Sequence, residues 1–295
     1  MAKTNSSLPL VTLEHPKEDP EEVYVRKQWN LLRYRLQQLP VASRAKLQGR
    51  FTQELLDQTF VLETPRGSLS FVALGKTGAS RALKLLTRQP ATIEWIDSFR
   101  PNTVFWDIGA NIGVYALYAA LQEDIQVIAF EPAAVNYFIL TANCEANAFD
   151  SRVQCLLLGL GDTRSVARLE VSQFASAMSF SFHGKRKRPY PSRQAALLLP
   201  IDQLIEDYGL ACPNYIKIDV PGLTQQIIAG ATQTLRREEL LELHVEMGNS
   251  PIGQQIKSVL AEAGFTVAAT NTHGSVDVTF VRQKANGVLK GVVGK

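Results

Sequence analysis

Apolar and polar positions change their period along this chain. Between residues 103 and 282, short apolar runs of strand length alternate with stretches in which apolar residues return every three or four positions. The short runs predict strands at 103–108, 126–131, 153–159, 214–220, 240–247, 265–270 and 275–282. The longer stretches predict helices at 112–122, 134–147, 201–208, 222–236 and 252–263. Such alternation is the mark of a mostly parallel α/β sheet with helices on both faces. The last two strands are joined through Asn271-Thr272-His273-Gly274, too short for a helical crossover, so an antiparallel hairpin is expected there. Residues 163–200 interrupt the plan as an insertion, with one strand expected at 166–171.

The N-terminal part reads differently. Its first 20 residues carry Pro9, Pro16 and Pro20 among scattered charges without period, as a loosely docked arm would. Helices are expected from Glu22 to Leu39, ahead of Pro40, and from Ser43 to Thr59. Residues 60–74 alternate as a hairpin around Pro65-Arg66-Gly67, and a helical segment runs from Ala91 to Phe99. The chain therefore divides into an extension, 1–84, and a main domain, 85–295. The two early helices can cover a sheet edge, pair with a second copy in a homo-oligomer, or form a lid; the pattern does not choose.

The stretch that changes this picture from architecture to chemistry is Val104-Phe105-Trp106-Asp107-Ile108-Gly109-Ala110-Asn111-Ile112-Gly113, followed by Gln126-Val127-Ile128-Ala129-Phe130-Glu131-Pro132. An apolar strand ends in an acid, a glycine turn opens a helix, and a second strand also ends in an acid. Glycines let the backbone approach a ligand without a Cβ penalty. Glu131 is placed to accept hydrogen bonds from both hydroxyls of a ribose. A dinucleotide site wants G-x-G-x-x-G for its pyrophosphate, whereas Gly109-Ala110-Asn111-Ile112-Gly113 has another spacing and is preceded by Asp107. A carboxylate there suits a cationic amino-acid cofactor, which favours S-adenosylmethionine over NAD.

These residues resemble the FkbM family of methyltransferases. The likeness rests on Phe105 to Gly113, on Ala129-Phe130-Glu131-Pro132 with Asn136-Tyr137 and Asn143, and on Tyr215-Ile216-Lys217-Ile218-Asp219-Val220. It extends to Gly230-Ala231, Leu235 and Glu246, covering residues 85–280. The resemblance implies a Rossmann-like class I methyltransferase fold with seven strands, S-adenosylmethionine as cofactor, and hydroxyl acceptors on sugars, glycans or secondary metabolites. One departure is clear: the family continues Asp-Val with Glu-Gly, where this chain has Pro221-Gly222.

Ligands in open α/β sheets sit beyond the carboxyl ends of the strands. Asp107 with Gly109, Ala110, Asn111 and Gly113 should face the amino-acid half of the cofactor. Glu131 and Pro132 should face the ribose, and Gly161 with Asp162 either the adenine or merely a turn. Methyl transfer to a hydroxyl needs in-line positioning and a base. Candidates are Asp219, His244 and Glu246, the last two on one face of their strand. Asp219 can instead hold the cofactor's amino group or a cation, and His244 can equally be a core residue; no metal-ligand set is present.

Composition narrows the partners. Hydrophobic residues make up 45% and charged residues 20% of the 295 positions, as in ordinary globular proteins, and the net charge of +3 does not argue for nucleic acid. The run Lys185-Arg186-Lys187-Arg188 ahead of Pro189-Tyr190-Pro191 reads as a solvated loop, an attractor of anionic acceptors, or a nucleic-acid contact. Three cysteines without C-x-x-C spacing disfavour disulfides and zinc and fit a reducing compartment. No secretory leader and no apolar stretch of about 18 residues is expected, so the reading is cytoplasmic. The functional expectation is an O-methyltransferase, with an N- or RNA-methyltransferase and a cofactor binder without turnover as rivals.

Overall fold

A computed structural model describes residues 19–72, 74–171, 192–247, 251–271 and 276–283. The Lys185–Arg188 run, the arm before Asp19 and residues 272–275 of the last hairpin lie outside the described residues.

The elements, in order, are α1 (Pro20–Gln37), α2 (Val41–Asp57), β1 (Thr59–Thr64), β2 (Gly67–Val72), α3 (Lys76–Leu83), α4 (Leu85–Arg88), α5 (Pro90–Asp97), β3 (Thr103–Ile108), α6 (Val114–Ala120), β4 (Ile125–Phe130) and α7 (Ala134–Ala146). They continue with β5 (Val153–Leu156), β6 (Gly159–Leu160), β7 (Ser165–Val171), β8 (Ser192–Leu199), α8 (Ile201–Glu206), β9 (Tyr215–Ile218), α9 (Thr224–Ala229), β10 (Glu242–Glu246), α10 (Pro251–Glu262), β11 (Phe265–Asn271) and β12 (Asp277–Arg282).

Contacts divide the chain after Glu54 into two compact units. In the first, α1 starts at Asp19, whose side chain accepts from the Glu21 backbone N–H at 3.0 Å, with Pro20 in the first turn. This helix buries none of its residues, and Tyr24, Trp29 and Tyr34 stay exposed.

The second unit is built on a seven-stranded sheet of order β11-β12-β10-β9-β3-β4-β5. All neighbours pair in parallel except β12, which runs against both β10 and β11. This is the seven-stranded sheet with an antiparallel ending that the resemblance implies. Alternation along each strand feeds two cores. Phe105, Val127, Ala129 and Tyr215 pack with α5, α6 and α7 on one face, and Trp106, Ile108, Phe130, Ile216 and Val245 pack with α8, α9 and α10 on the other. From β3 the chain proceeds to β4 and β5 on one side, then returns to β9 on the other. The switch point therefore lies between β3 and β9, and the crevice opens at their carboxyl ends.

Several elements differ from their sequence-based bounds for physical reasons. The strand expected at 153–159 stops at Leu156, where the Leu158 N–H turns back to the Leu156 carbonyl at 3.0 Å. Gly159–Leu160 then joins a separate three-stranded sheet of order β6-β8-β7. The helix expected at 222–236 breaks at Gly230, where any Cβ would stand 2.0 Å from the Gly161 carbonyl oxygen. A 3-10 turn, Thr234–Arg236, follows, and the Asp202 carboxylate accepts from the N–H groups of Gln233 and Thr234 at 2.9 and 2.8 Å. Strand β8 and helices α3 and α4 have no counterpart among the expected elements. The β1–β2 hairpin is tied to α7: Asn143 Oδ1 accepts from Val72 N–H at 2.8 Å, and Asn147 bonds both backbone groups of Ser70.

Candidate functional site

The face of the sheet that carries Phe105 also carries a row of polar groups near the strand ends. Register places Asp107 of β3 opposite Lys217 of β9, Lys217 opposite His244 of β10, and His244 opposite Thr279 of β12. One step nearer the carboxyl ends, Glu246 faces Asp277. Period two thus lines up two tiers of polar side chains that would otherwise point into an apolar core.

Lys217 is the centre of the first tier. Its Nζ lies 3.1 Å from Asp107 Oδ1 and 3.8 Å from Asp219 Oδ2, and 5.1 Å from the centre of the Tyr115 ring. Burial alone would strip the proton from this ammonium, but the carboxylates of Asp107 and Asp219 outweigh it and hold the lysine charged well above its usual range. The second oxygen of Asp107, Oδ2, is buried without a hydrogen-bond partner. Unpartnered buried acceptors of this kind are uncommon and call for a reason.

The structure separates the three base candidates. Asp219 and Glu246 lie close enough for their carboxyl groups to interact. Burial pushes the Asp219 carboxyl up, but Lys217, Glu246 and the arginines Arg81 and Arg88 bring it below the usual range. Asp219 is also the more accessible of the acids around Lys217, with 20% of its side chain exposed against none for Asp107.

His244 is different. It is buried, stacked on Trp95 with ring centres 5.0 Å apart, and each ring nitrogen lies 3.0 Å from a threonine hydroxyl, Thr92 for Nε2 and Thr279 for Nδ1. Burial, aided by the Lys217 charge, lowers its pKa to about 4. The histidine is a neutral, fully hydrogen-bonded core residue rather than an exposed base.

On the other side of the switch point, the turn Gly109–Gly113 runs under the carboxyl end of β4. Gly109 sits at φ +84°, and a Cβ there would come within 2.4 Å of the Asp219 carbonyl oxygen, so only glycine lets the turn lie against the end of β9. The Gly109 and Ala110 N–H groups both donate to Phe130 O at 3.0 Å. Asn111 takes the left-handed conformation at φ 57°. Asn143 closes the turn from below, its Nδ2 donating to Ile112 O at 2.8 Å.

Glu131 staples this turn to the next. Its Oε2 accepts from Asn111 N–H and its Oε1 from Ala133 N–H, each at 2.8 Å. Burial nonetheless lifts its pKa to about 7, against the pull of those donors. Pro132 is held from β8, where Gln194 donates to its carbonyl at 2.7 Å and accepts from Ala134 N–H at 3.0 Å. Gly161 is buried against Gly230, while Asp162 is exposed beyond β6, bonded to the neighbouring Thr163 hydroxyl. The end of β5 adjoins Glu131, whose N–H donates to Leu156 O at 3.1 Å, directly before Leu157.

Four side chains around this row were not singled out by the sequence reading. Lys217 had a signal, a lone cation two residues from Asp219 in an otherwise apolar strand and so on the same face. Gln89 and the arginines of α3 and α4 had none, because nothing local ties them to the sheet. Gln89 bridges Tyr115, whose hydroxyl donates to its Oε1 at 2.6 Å, and Asp277, whose Oδ2 accepts from its Nε2 at 3.3 Å. Pro221 is exposed and belongs to neither tier, so the departure from the family pattern removes none of these groups.

Residues 107–267 match the family described as Methyltransferase FkbM domain. Hexuronic acid methyltransferase AglP of Haloferax volcanii is 24% identical over 189 residues, which span 64% of this chain and 74% of that protein. The 31-O-demethyl-FK506 methyltransferase FkbM of Streptomyces tacrolimicus is 29% identical over 202 residues, spanning 58% of this chain and 75% of that protein. A crystal structure of Methyltransferase FkbM from Methylobacillus flagellatus KT aligns at 17% identity and a TM-score of 0.44, over 62% of this chain and 45% of that one.

Proposed function

The chain belongs to the Methyltransferase FkbM domain family, and from that premise we propose that it transfers a methyl group from S-adenosylmethionine to a hydroxyl oxygen, with Asp219 receiving the hydroxyl proton. The single observation that carries the reading is the Asp219–Glu246 carboxyl pair beside the charged Lys217, at the crevice between β3 and β9 and against the glycine turn.

The residues fit the cofactor chemically. An unpartnered, buried Asp107 Oδ2 suits a cationic amino-acid group nearby, and the Gly109–Gly113 backbone offers a close approach. Glu131 already accepts from the Asn111 and Ala133 N–H groups and from the Asn136 side chain, and the acceptor capacity its carboxylate keeps beyond these suits a ribose hydroxyl. Leu157, exposed directly after β5, offers an apolar surface for the adenine, a better candidate than the outlying Asp162. When bound, S-adenosylmethionine supplies an electrophilic methyl on a good leaving group.

The rest falls to the chain. Asp219 accepts the acceptor's proton, with Glu246 beside it. Lys217 keeps Asp219 ionised before transfer, and Asp107 keeps Lys217 charged. His244 has no part in proton transfer; it and Thr92 anchor α5 to β10. The names of the relatives, one acting on a hexuronic acid and one on a demethylated FK506, support a hydroxylated sugar, glycan or secondary metabolite as acceptor. No helix among the described residues is long and apolar enough to cross a membrane.

Titration calorimetry with S-adenosylhomocysteine beside NAD tests the cofactor half. Micromolar binding of the first alone is expected; binding of NAD instead would overturn the assignment.

A further inference from the structure

Two cations near Asp219, Arg81 and Arg88, have no hydrogen-bond or ion-pair partner among the described residues. Arg81 lies on α3 and Arg88 at the end of α4, seven residues apart along an almost continuous helical stretch, hence on one face. Arg81 Nε is buried with no acceptor. A buried guanidinium donor left unpaired is costly, more so than a neutral one.

The stretch is held where those charges matter. Gln89, directly after Arg88, is hydrogen-bonded to both Tyr115 and Asp277, and Thr92 to His244, which pins the start of α5 to β10 and to the amino end of the antiparallel β12. Each arginine is within electrostatic reach of Asp219 and of Tyr115, and Arg81 also of Glu131. The two are within reach of each other as well, and their mutual repulsion is offset only in part by Asp219 and Glu131.

Two unpaired guanidinium groups within electrostatic reach of one acid suit a planar anion, because the five donors of arginine match a carboxylate in a fork. We propose that Arg81 and Arg88 form a carboxylate-binding site near Asp219, which holds a carboxylate of a substrate while its hydroxyl faces the base. The proposal rests on the methyltransferase reading above. The carboxylate has two sources, the amino-acid end of the cofactor and an acidic acceptor such as a uronic acid, and the chemistry at the arginines is the same for both.

The test uses the full chain, with Arg81→Gln and, because Arg81 is partly buried, Arg88→Gln, whose exposed side chain can be changed without disturbing packing. Calorimetry is run with S-adenosylhomocysteine, with methylthioadenosine, which lacks the amino-acid group, and with glucuronate in the presence of methylthioadenosine. Loss of S-adenosylhomocysteine affinity by roughly tenfold or more, with methylthioadenosine unchanged, supports the site and assigns it to the cofactor's carboxylate. A like loss for glucuronate alone supports it and assigns an acidic acceptor. If the variants bind both carboxylate probes as the wild type does, the proposal is overturned. A wild type that binds neither nucleoside overturns the methyltransferase reading instead, and glucuronate binding then judges the arginines separately.

Discussion

Lys217 Nζ donates to Asp107 Oδ1 at 3.1 Å across neighbouring strands, and the two side chains are only 4% and 0% exposed. A pair this deep is held together because burial removes water from both charges and each then depends on the other. Lys217→Met leaves Asp107 with an uncompensated buried charge and should cost about 3–5 kcal/mol, the usual price of breaking a buried ion pair from one side. Replacing both partners with apolar residues should cost less than the single change. Urea unfolding of the three variants measures this, and a single-variant loss below about 1 kcal/mol would remove Lys217 from the centre of the site.

Asp219 and Glu246 should separate in their effects on turnover. Asp219→Asn removes the proton acceptor and should lower kcat by about 100-fold or more while leaving the fold largely intact. Glu246→Gln keeps a polar side chain beside Asp219 and should stay within about tenfold of wild type, whereas Glu246→Ala should lose more. Steady-state rates on any accepted hydroxyl decide the matter; full activity in Asp219→Asn would dismiss it as the base.

His244 gives the apoprotein an acid-sensitive core. Its folded pKa of about 4 lies below the unfolded value of 6.5. The unfolded chain therefore binds the extra proton first, and the contribution of the neutral ring is present in full above pH 6.5 and lost as the pH falls through about 4. The gap corresponds to about 3 kcal/mol. Denaturant unfolding between pH 8 and 4 should show this loss, and His244→Gln should flatten it. An imidazole proton titrating near pH 6.5 in the folded protein, read by NMR, would contradict the buried assignment.

Glu131 behaves with the opposite sign. Its folded pKa of about 7 lies above the unfolded 4.5, so its protonated form stabilises the apoprotein at low pH, and that contribution is lost as the pH rises through about 7. Accepting from a ribose hydroxyl needs the carboxylate. Cofactor affinity should therefore fall below pH 7, by up to roughly tenfold per pH unit, with proton release on binding. Glu131→Ala should weaken binding by about 1.5–3 kcal/mol and abolish the pH dependence. Calorimetry of S-adenosylhomocysteine at pH 5.5, 6.5 and 8 checks both, and a flat affinity profile in the wild type would sink the ribose role.

The strand ends were legible because they are local. Asp107 and Glu131 each close an apolar run, and Gly109 and Gly113 mark a turn that only residues without Cβ strain can make, so this half of the crevice follows from neighbours in sequence. The alternation of strands and helices likewise predicted the parallel sheet, since each period reports which face a residue presents. His244 shows where this ends. Its two-residue spacing to Glu246 put both on one face, as found, but the facing partners, Trp95, Thr92 and Thr279, come from α5 and β12, and these make it a core residue.

By itself, then, the sequence determined the sheet, the glycine turn and the acids at its rim, because periodicity and turn chemistry act over a few residues. Only the tertiary structure decided how those acids are charged. Lys217 meets Asp107 across 110 residues, Glu246 settles on Asp219 from the next strand, and Gln89 reaches Asp277 across 188 residues, holding the Arg88 end of α4 at the site. Charge state depends on burial and on partners in space, and neither is written in the spacing of residues along the chain.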